Sequence, residues 1–229
     1  MSVSAKPASP IAEIEAKGGQ AWIVDPGRKP QRWAVSFRAC TVGDGDLMCL
    51  TALPGLQVLD VSSTLITDAG LLNLVGMAAL ENLALGQNKI TDAGLAALKG
   101  LPSLRWLSLR GTSVGDAGVR WLARFNRLES LSLRRTRVTD AGLEALAALE
   151  ELRSLSLRRT VITDAGLAHL AALTRLRQLD LRRTRVTAAG LAGIKAAAEL
   201  RWLYIDHESV NDAGIRKLRQ ALPALVVQP

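Results

Sequence analysis

Aromatic side chains make up only 3% of this 229-residue chain. A core for it must be built from aliphatic residues. Cysteine is nearly absent: Cys40 and Cys49 are the two, with no CxxC. That excludes a disulfide framework or zinc site and fits a reducing compartment. Histidine occurs twice, as His169 and His207. No G-x-S-x-G, phosphate-binding glycine loop or His/Glu metal spacing is present. The expectation is no enzyme, no catalytic residue, no metal and no cofactor. No apolar run approaches the roughly 18–20 residues of a membrane span. The opening MSVSAKPASP lacks the apolar stretch of a signal peptide, so a cytoplasmic location away from membranes is expected. Acids are outnumbered, 21 against 29 basic residues, for a formal charge of +8. Of the basic residues 22 are arginine.

What the chain has in abundance is a period. An aspartate recurs at Asp44, Asp68, Asp92, Asp116, Asp140 and Asp164, is replaced by Ala188, and returns at Asp212, every step being 24 residues. A glycine follows two residues later at Gly70, Gly94, Gly118, Gly142, Gly166, Gly190 and Gly214, with Asp46 in its place in the first unit. The next position is always apolar, from Leu47 to Ile215. Such periodicity marks a stack of supersecondary units.

Each unit carries two hydrophobic rhythms. Leu131 and Leu133 alternate with period two, as in a short strand. Leu143, Leu146 and Leu149 share one face of a helix. Thr139 and Asp140 between them suit a helix N-terminus. One unit is therefore strand, turn, short helix and loop, and stacking the copies buries a continuous core. Glycine costs about 1 kcal/mol in a helix relative to alanine. Its recurrence implies close approach, with a Cβ meeting the neighbouring unit. Strands stack at about 4.8 Å and helices need about 10 Å. The stack must curve, with strands on the concave face and helices outside.

The pattern LxxLxLxxTxVTDAGLxxLxxL resembles a leucine-rich repeat. It is similar to the bacterial 24-residue TDAGL type and to the cysteine-containing class of F-box substrate receptors, over residues 32–225. The resemblance implies an α/β fold: a curved right-handed solenoid, or horseshoe, with parallel strands on the concave face and short helices on the convex face. It also implies an inward ladder at the ninth motif position that hydrogen-bonds the loop backbone. Here that ladder reads Cys40, Thr64, Asn88, Thr112, Thr136, Thr160, Thr184 and Glu208. Glu208 suits it poorly, so an irregular last turn is expected.

Residues 1–31 read as a tail and cap, 32–215 as eight repeats, and 216–229 as a C-terminal cap. Residues 11–17 suit a short helix. Two strands flank a turn from Asp25 to Pro30, with Trp22 and Trp33 expected to cover the open end of the core. Leu218 and Leu222 are spaced by four rather than three, which marks an atypical last unit.

The candidate binding residues lie between the strand leucines. Arg110, Arg134, Arg158 and Arg182 occupy one position in four consecutive units, and Arg135, Arg159 and Arg183 the next. Arg105, Arg153, Arg177, Arg137 and Arg185 bring these faces to twelve arginines against Glu129 and Asp180. Trp106 stands at one end of the strip, Trp202 and Tyr204 at the other. Stacked like charges repel. Guanidinium suits carboxylate and phosphate, and aromatics beside arginines are typical interface anchors. The strip is either a duplicated solvated face or a site for something anionic. His169 sits at a solvated outer position shared by Cys49, which is expected to be partly exposed, and His207 lies in the loop after the last strand. Trp121, on the outer face, suggests a convex contact or self-association.

The leading expectation is a non-catalytic scaffold that binds a protein partner with an acidic patch on the concave face. The alternative is nucleic-acid or other polyanion binding through the same arginines. A lesser alternative is an F-box-like ubiquitin ligase receptor, for which residues 1–31 are short and polar. A purely structural spacer is the fourth. The oligomeric state is left open.

Overall fold

The computed structural model describes residues 9–206, 208, 210 and 212–228. Ten strands form one sheet in strict chain order. β1 (Gln20–Ile23) and β2 (Trp33–Ser36) are an antiparallel hairpin. Every later pairing is parallel: β3 (Leu56–Asp60), β4 (Asn82–Ala84), β5 (Trp106–Ser108), β6 (Ser130–Ser132), β7 (Ser154–Ser156), β8 (Gln178–Asp180), β9 (Trp202–Tyr204) and β10 (Val226–Gln228). From β3 to β9 the register equals the sequence period, so Val58, Asn82, Trp106, Ser130, Ser154, Gln178 and Trp202 form one row.

The other layer is helical. α1 (Pro10–Ala16) opens the chain, followed by α2 (Asp92–Leu95), α3 (Asp116–Leu122), α4 (Asp140–Leu146), α5 (Asp164–Leu167) and α6 (Asp212–Ala221). Units without an α-helix carry 3-10 turns at Asp44–Ala52, Gly70–Leu74 and Gly190–Ile194. The leucines of both layers meet in one apolar core that runs from Ile14 to Leu225.

One ladder joins neighbouring repeats, and a second lies mostly within them. Asp116 Oδ1 accepts from the Thr139 amide at 2.8 Å, and Oδ2 from the Thr139 hydroxyl at 2.7 Å. Asp44, Asp68, Asp140 and Asp164 hold Thr67, Thr91, Thr163 and Thr187 in the same way. The same carboxylates account for the glycines. A Cβ on Gly142 would lie 2.4 Å from Asp116 Oδ1, and one on Gly118 2.4 Å from Asp92 Oδ1. The first unit has no aspartate before it, and there Asp46 accepts from the Gly43 amide and pairs with Lys17. In the second ladder, the hydroxyls of Thr64, Thr112, Thr136, Thr160 and Thr184 each donate to the carbonyl three residues back. Asn88 goes further. Its amide donates to both Leu85 and Val61, and its carbonyl accepts from Thr64, which crosses to the preceding repeat. Glu208 is exposed and contributes no such rung.

The ends differ in part from the sequence expectation. α1 is capped by Ser9 and buries Ile14. Trp33 packs against the core, but Trp22 is 46% exposed. In the hairpin register Trp22 faces Ala34, while the intervening Ala21 and Val35 point at the core. At the other end β10 adds a further parallel strand, so the last segment continues the sheet rather than merely covering it. Cys49 is buried, not partly exposed, and its thiol donates to the Asp46 carbonyl at 3.0 Å. Helix α1 packs over the first 3-10 turn, a cover that the exposed His169 lacks at the equivalent position. Burial pushes the Cys49 thiol up from its ordinary range, which makes it a poor nucleophile. His207 lies outside the described residues.

Candidate functional site on the concave face

Three rows of side chains line the concave face. The first is the row of Trp106, Ser130, Ser154, Gln178 and Trp202. The second is Asp60, Ala84, Ser108, Ser132, Ser156, Asp180 and Tyr204. The third, just past the strands, is Arg38, Ser62, Gly86, Arg110, Arg134, Arg158, Arg182 and Asp206. Its carbonyls remain in the ladder. Those of Arg110, Arg134, Arg158 and Arg182 accept from the amides of Gln87, Gly111, Arg135 and Arg159.

The double arginine has a backbone cause and a backbone cost. Its second member is the corner at which the chain leaves the sheet. Arg135, Arg159 and Arg183 adopt φ of 56°, 59° and 58°, Gly111 takes the same corner at 68°, and Ala39, Ser63 and Gln87 take it in the earlier repeats at 61°, 59° and 60°. This left-handed region disfavours side chains other than glycine. Three arginines therefore stand where glycine would relieve strain.

The first members are not equivalent to one another. Arg182 is committed: its Nε and Nη2 donate to Asp180 at 3.0 Å each, and its guanidinium lies 4.8 Å from the Tyr204 ring centre. The hydrogen bond to Asp180 holds its proton more tightly than usual. Arg110, Arg134 and Arg158 are half-buried, and the Nε of each is shielded from solvent with no hydrogen-bond partner. Burial first, then the charges of Arg110, Arg158 and Arg159, push Arg134 below its ordinary range. Arg159 is pushed down chiefly by Arg183. Facing these rungs are Ser132 and Ser156, which bring no negative charge.

Three of the flanking arginines have carboxylates beside them. Arg105 and Arg153 share Glu129, and Arg177 pairs with Glu199. Of the strip of twelve, Arg105, Arg153, Arg177 and Arg182 have carboxylates beside them, Arg110, Arg134 and Arg158 form a stacked centre without one, and Arg135, Arg137, Arg159, Arg183 and Arg185 beside that centre show no ion pair among the described residues. Trp106 and Trp202, 38% and 44% exposed, bracket the centre about four strand spacings apart, roughly 19 Å. Arg182 with Asp180 and Tyr204 closes one end. That closure was not legible from the repeat, because Asp180 replaces the serine of the two preceding units.

The leucine-rich repeat family model matches residues 54–114 and 126–186, together more than half of the chain. The chain belongs to the leucine-rich repeat family. Among solved structures, internalin C2 from Listeria monocytogenes is 26% identical, with a TM-score of 0.58 over 81% of this chain and 73% of that one. A leucine-rich repeat protein of Leptospira interrogans has a TM-score of 0.62 at 19% identity, over 80% of this chain but only 45% of its own, and it speaks to the fold alone. No curated protein matches significantly. Leucine-rich repeats serve in general as protein-interaction scaffolds. Among the described residues no cluster of His, Cys, Asp and Glu could hold a metal, and no helix is long and apolar enough to cross a membrane.

Proposed function

We propose that this leucine-rich repeat protein is a non-catalytic scaffold whose concave face takes an acidic segment of a partner protein. The observation that carries this reading is the run of three stacked guanidiniums, Arg110, Arg134 and Arg158, each with a shielded and unpartnered Nε and no carboxylate paired with it among the described residues, whereas Arg153, whose Nε also lacks a hydrogen bond, lies 3.8 Å from Glu129. Neighbouring arginines in the same sheet have carboxylates within reach. A donor buried without a partner costs about 1–3 kcal/mol, and more for a charged group. A run of carboxylates, one per rung, would offset the three stacked charges, with each guanidinium donating to its carboxylate in bidentate geometry. Trp106 and Trp202 offer apolar contact on either side.

The test is capture of partners from source-cell lysate by wild type and by the Arg110/Arg134/Arg158→Ser triple variant, washed at low and moderate salt. Serine is chosen because Ser62 holds the same position in the second repeat. A protein held by wild type and lost by the variant supports the concave arginines as its dock. Elution of nucleic acid with a steep salt dependence would replace this reading by a polyanion one. Identical captures would make the strip a duplicated solvated face.

A further inference from the structure

The arginine row has a gap. Between Arg38 and Arg110 stand Ser62 and Gly86, where five later repeats carry arginine or aspartate. Gly86 has no positive φ, so the backbone does not demand glycine there. The missing side chains leave a hollow of about 150 Å³ walled by Arg38, Ser62, Gly86, Gln87, Trp106 and Arg110. A second hollow of about 280 Å³ adjoins it, lined by Val58, Leu59, Asp60, Asn82, Ala84 and Trp106. The two share Asp60, Ala84 and Trp106. Each hollow by itself is below the roughly 300–1,000 Å³ of a usual small-molecule site and suits a single side chain. The joint lining sets apolar Val58, Ala84 and the part-exposed Trp106 beside Asp60, Asn82 and Ser62, and Arg38 and the first uncompensated rung, Arg110, stand among its walls. Asp60 turns one carboxylate oxygen to the Ser62 amide at 2.8 Å.

We infer that this double hollow is the anchor pocket of the concave face. It receives one aliphatic side chain of the partner against Val58, Ala84 and Trp106, and places the acid that follows between Arg38 and Arg110. The inference rests on the proposed acidic partner. It adds to that reading the residue that sets where along the ladder the segment begins.

The probe is a fluorescein-labelled hexaglutamate peptide, alone or extended by Leu-Gly at either end, titrated by fluorescence anisotropy. The expected result is that one leucine-headed peptide binds wild type about ten-fold tighter than hexaglutamate. Gly86→Arg and the neutral Gly86→Gln fill the pocket, and should reduce that ratio to about one. Arg38, Arg110, Arg134 and Arg158 occupy this position in other repeats, and a Cβ on Gly86 would press the Arg110 carbonyl at 3.2 Å, a contact that a small shift relieves. In Arg134→Ser/Arg158→Ser both peptides weaken while the ratio persists. No gain from leucine in wild type, or a gain that survives both Gly86 substitutions, overturns the inference. If hexaglutamate fails to bind but a leucine-headed peptide binds and loses to Gly86→Gln, the pocket stands and the arginine ladder falls as a dock. If neither peptide binds wild type, both are overturned.

Discussion

Replacing Gly142 by alanine tests the physical basis of the repeat, and its sign is not the usual one. In an ordinary helix the change would stabilise by about 1 kcal/mol. Here the new Cβ would stand 2.4 Å from Asp116 Oδ1, well inside contact. The carboxylate must move, and it then loses the Thr139 amide at 2.8 Å and hydroxyl at 2.7 Å. Hydrogen bonds to a charged group contribute about 1.5–3 kcal/mol each. Asp116 is half-buried, so water recovers part of that. Less the helix gain, the net loss is about 2–3 kcal/mol. Asp116→Ala alone should cost a similar amount. In that background Gly142→Ala meets Val138 Cγ1 at 3.0 Å, a contact relieved by a small shift, so the cost should fall to about zero. Urea denaturation of the four proteins measures the coupling, expected at about 2–3 kcal/mol. An equal cost of Gly142→Ala in both backgrounds would refute the carboxylate as the reason for the glycine.

Four further outcomes follow from the same contacts. Arg159→Gly should stabilise by about 0.5–1 kcal/mol, because relief of left-handed strain (about 1–2) exceeds the entropy glycine adds to the unfolded chain (about 0.5–1). Calorimetry should then show Tm rising by roughly 1–4 °C, and a fall would contradict the strain account. Thr160→Val removes the buried hydroxyl bonded to Leu157 at 2.6 Å and should cost about 1–2 kcal/mol. Asn88→Ala, which also cuts the bonds to Val61 and Thr64, should cost about 2–4, and the reverse order in chemical denaturation would contradict the cross-repeat role. Lys17 and the Gly43 amide hold the Asp46 carboxyl below the ordinary 3.8. Its contribution to the N-terminal cap is complete above that pH and lost as pH falls through the lower folded value. NMR titration checks this, and a pKa above 3.8 would negate it.

Leucine spacing and the 24-residue period were enough to place the strands and their register, because each is dictated by residues within one unit and its copy, while the inward threonine ladder came from the resemblance to leucine-rich repeats. The close approach at the glycines was also legible, though not its agent, since the aspartates that fill the space belong to the preceding repeat. Cys49 and His169 share a repeat position and differ in burial because α1 packs over the first unit only. Trp22 escaped the expected cap because hairpin register, not hydrophobicity, decides which face it takes.

The arginine strip divides in the same way. Composition and period alone determined that guanidiniums would line one face of a stacked sheet at regular spacing. Only the tertiary structure decided which of them stay uncompensated. Pairing depends on what the neighbouring strand presents: Asp180 and Tyr204 for Arg182, Glu129 for Arg105, serines for Arg134 and Arg158. A repeat specifies its own contacts. The charge left over is set by how unlike copies meet across the sheet.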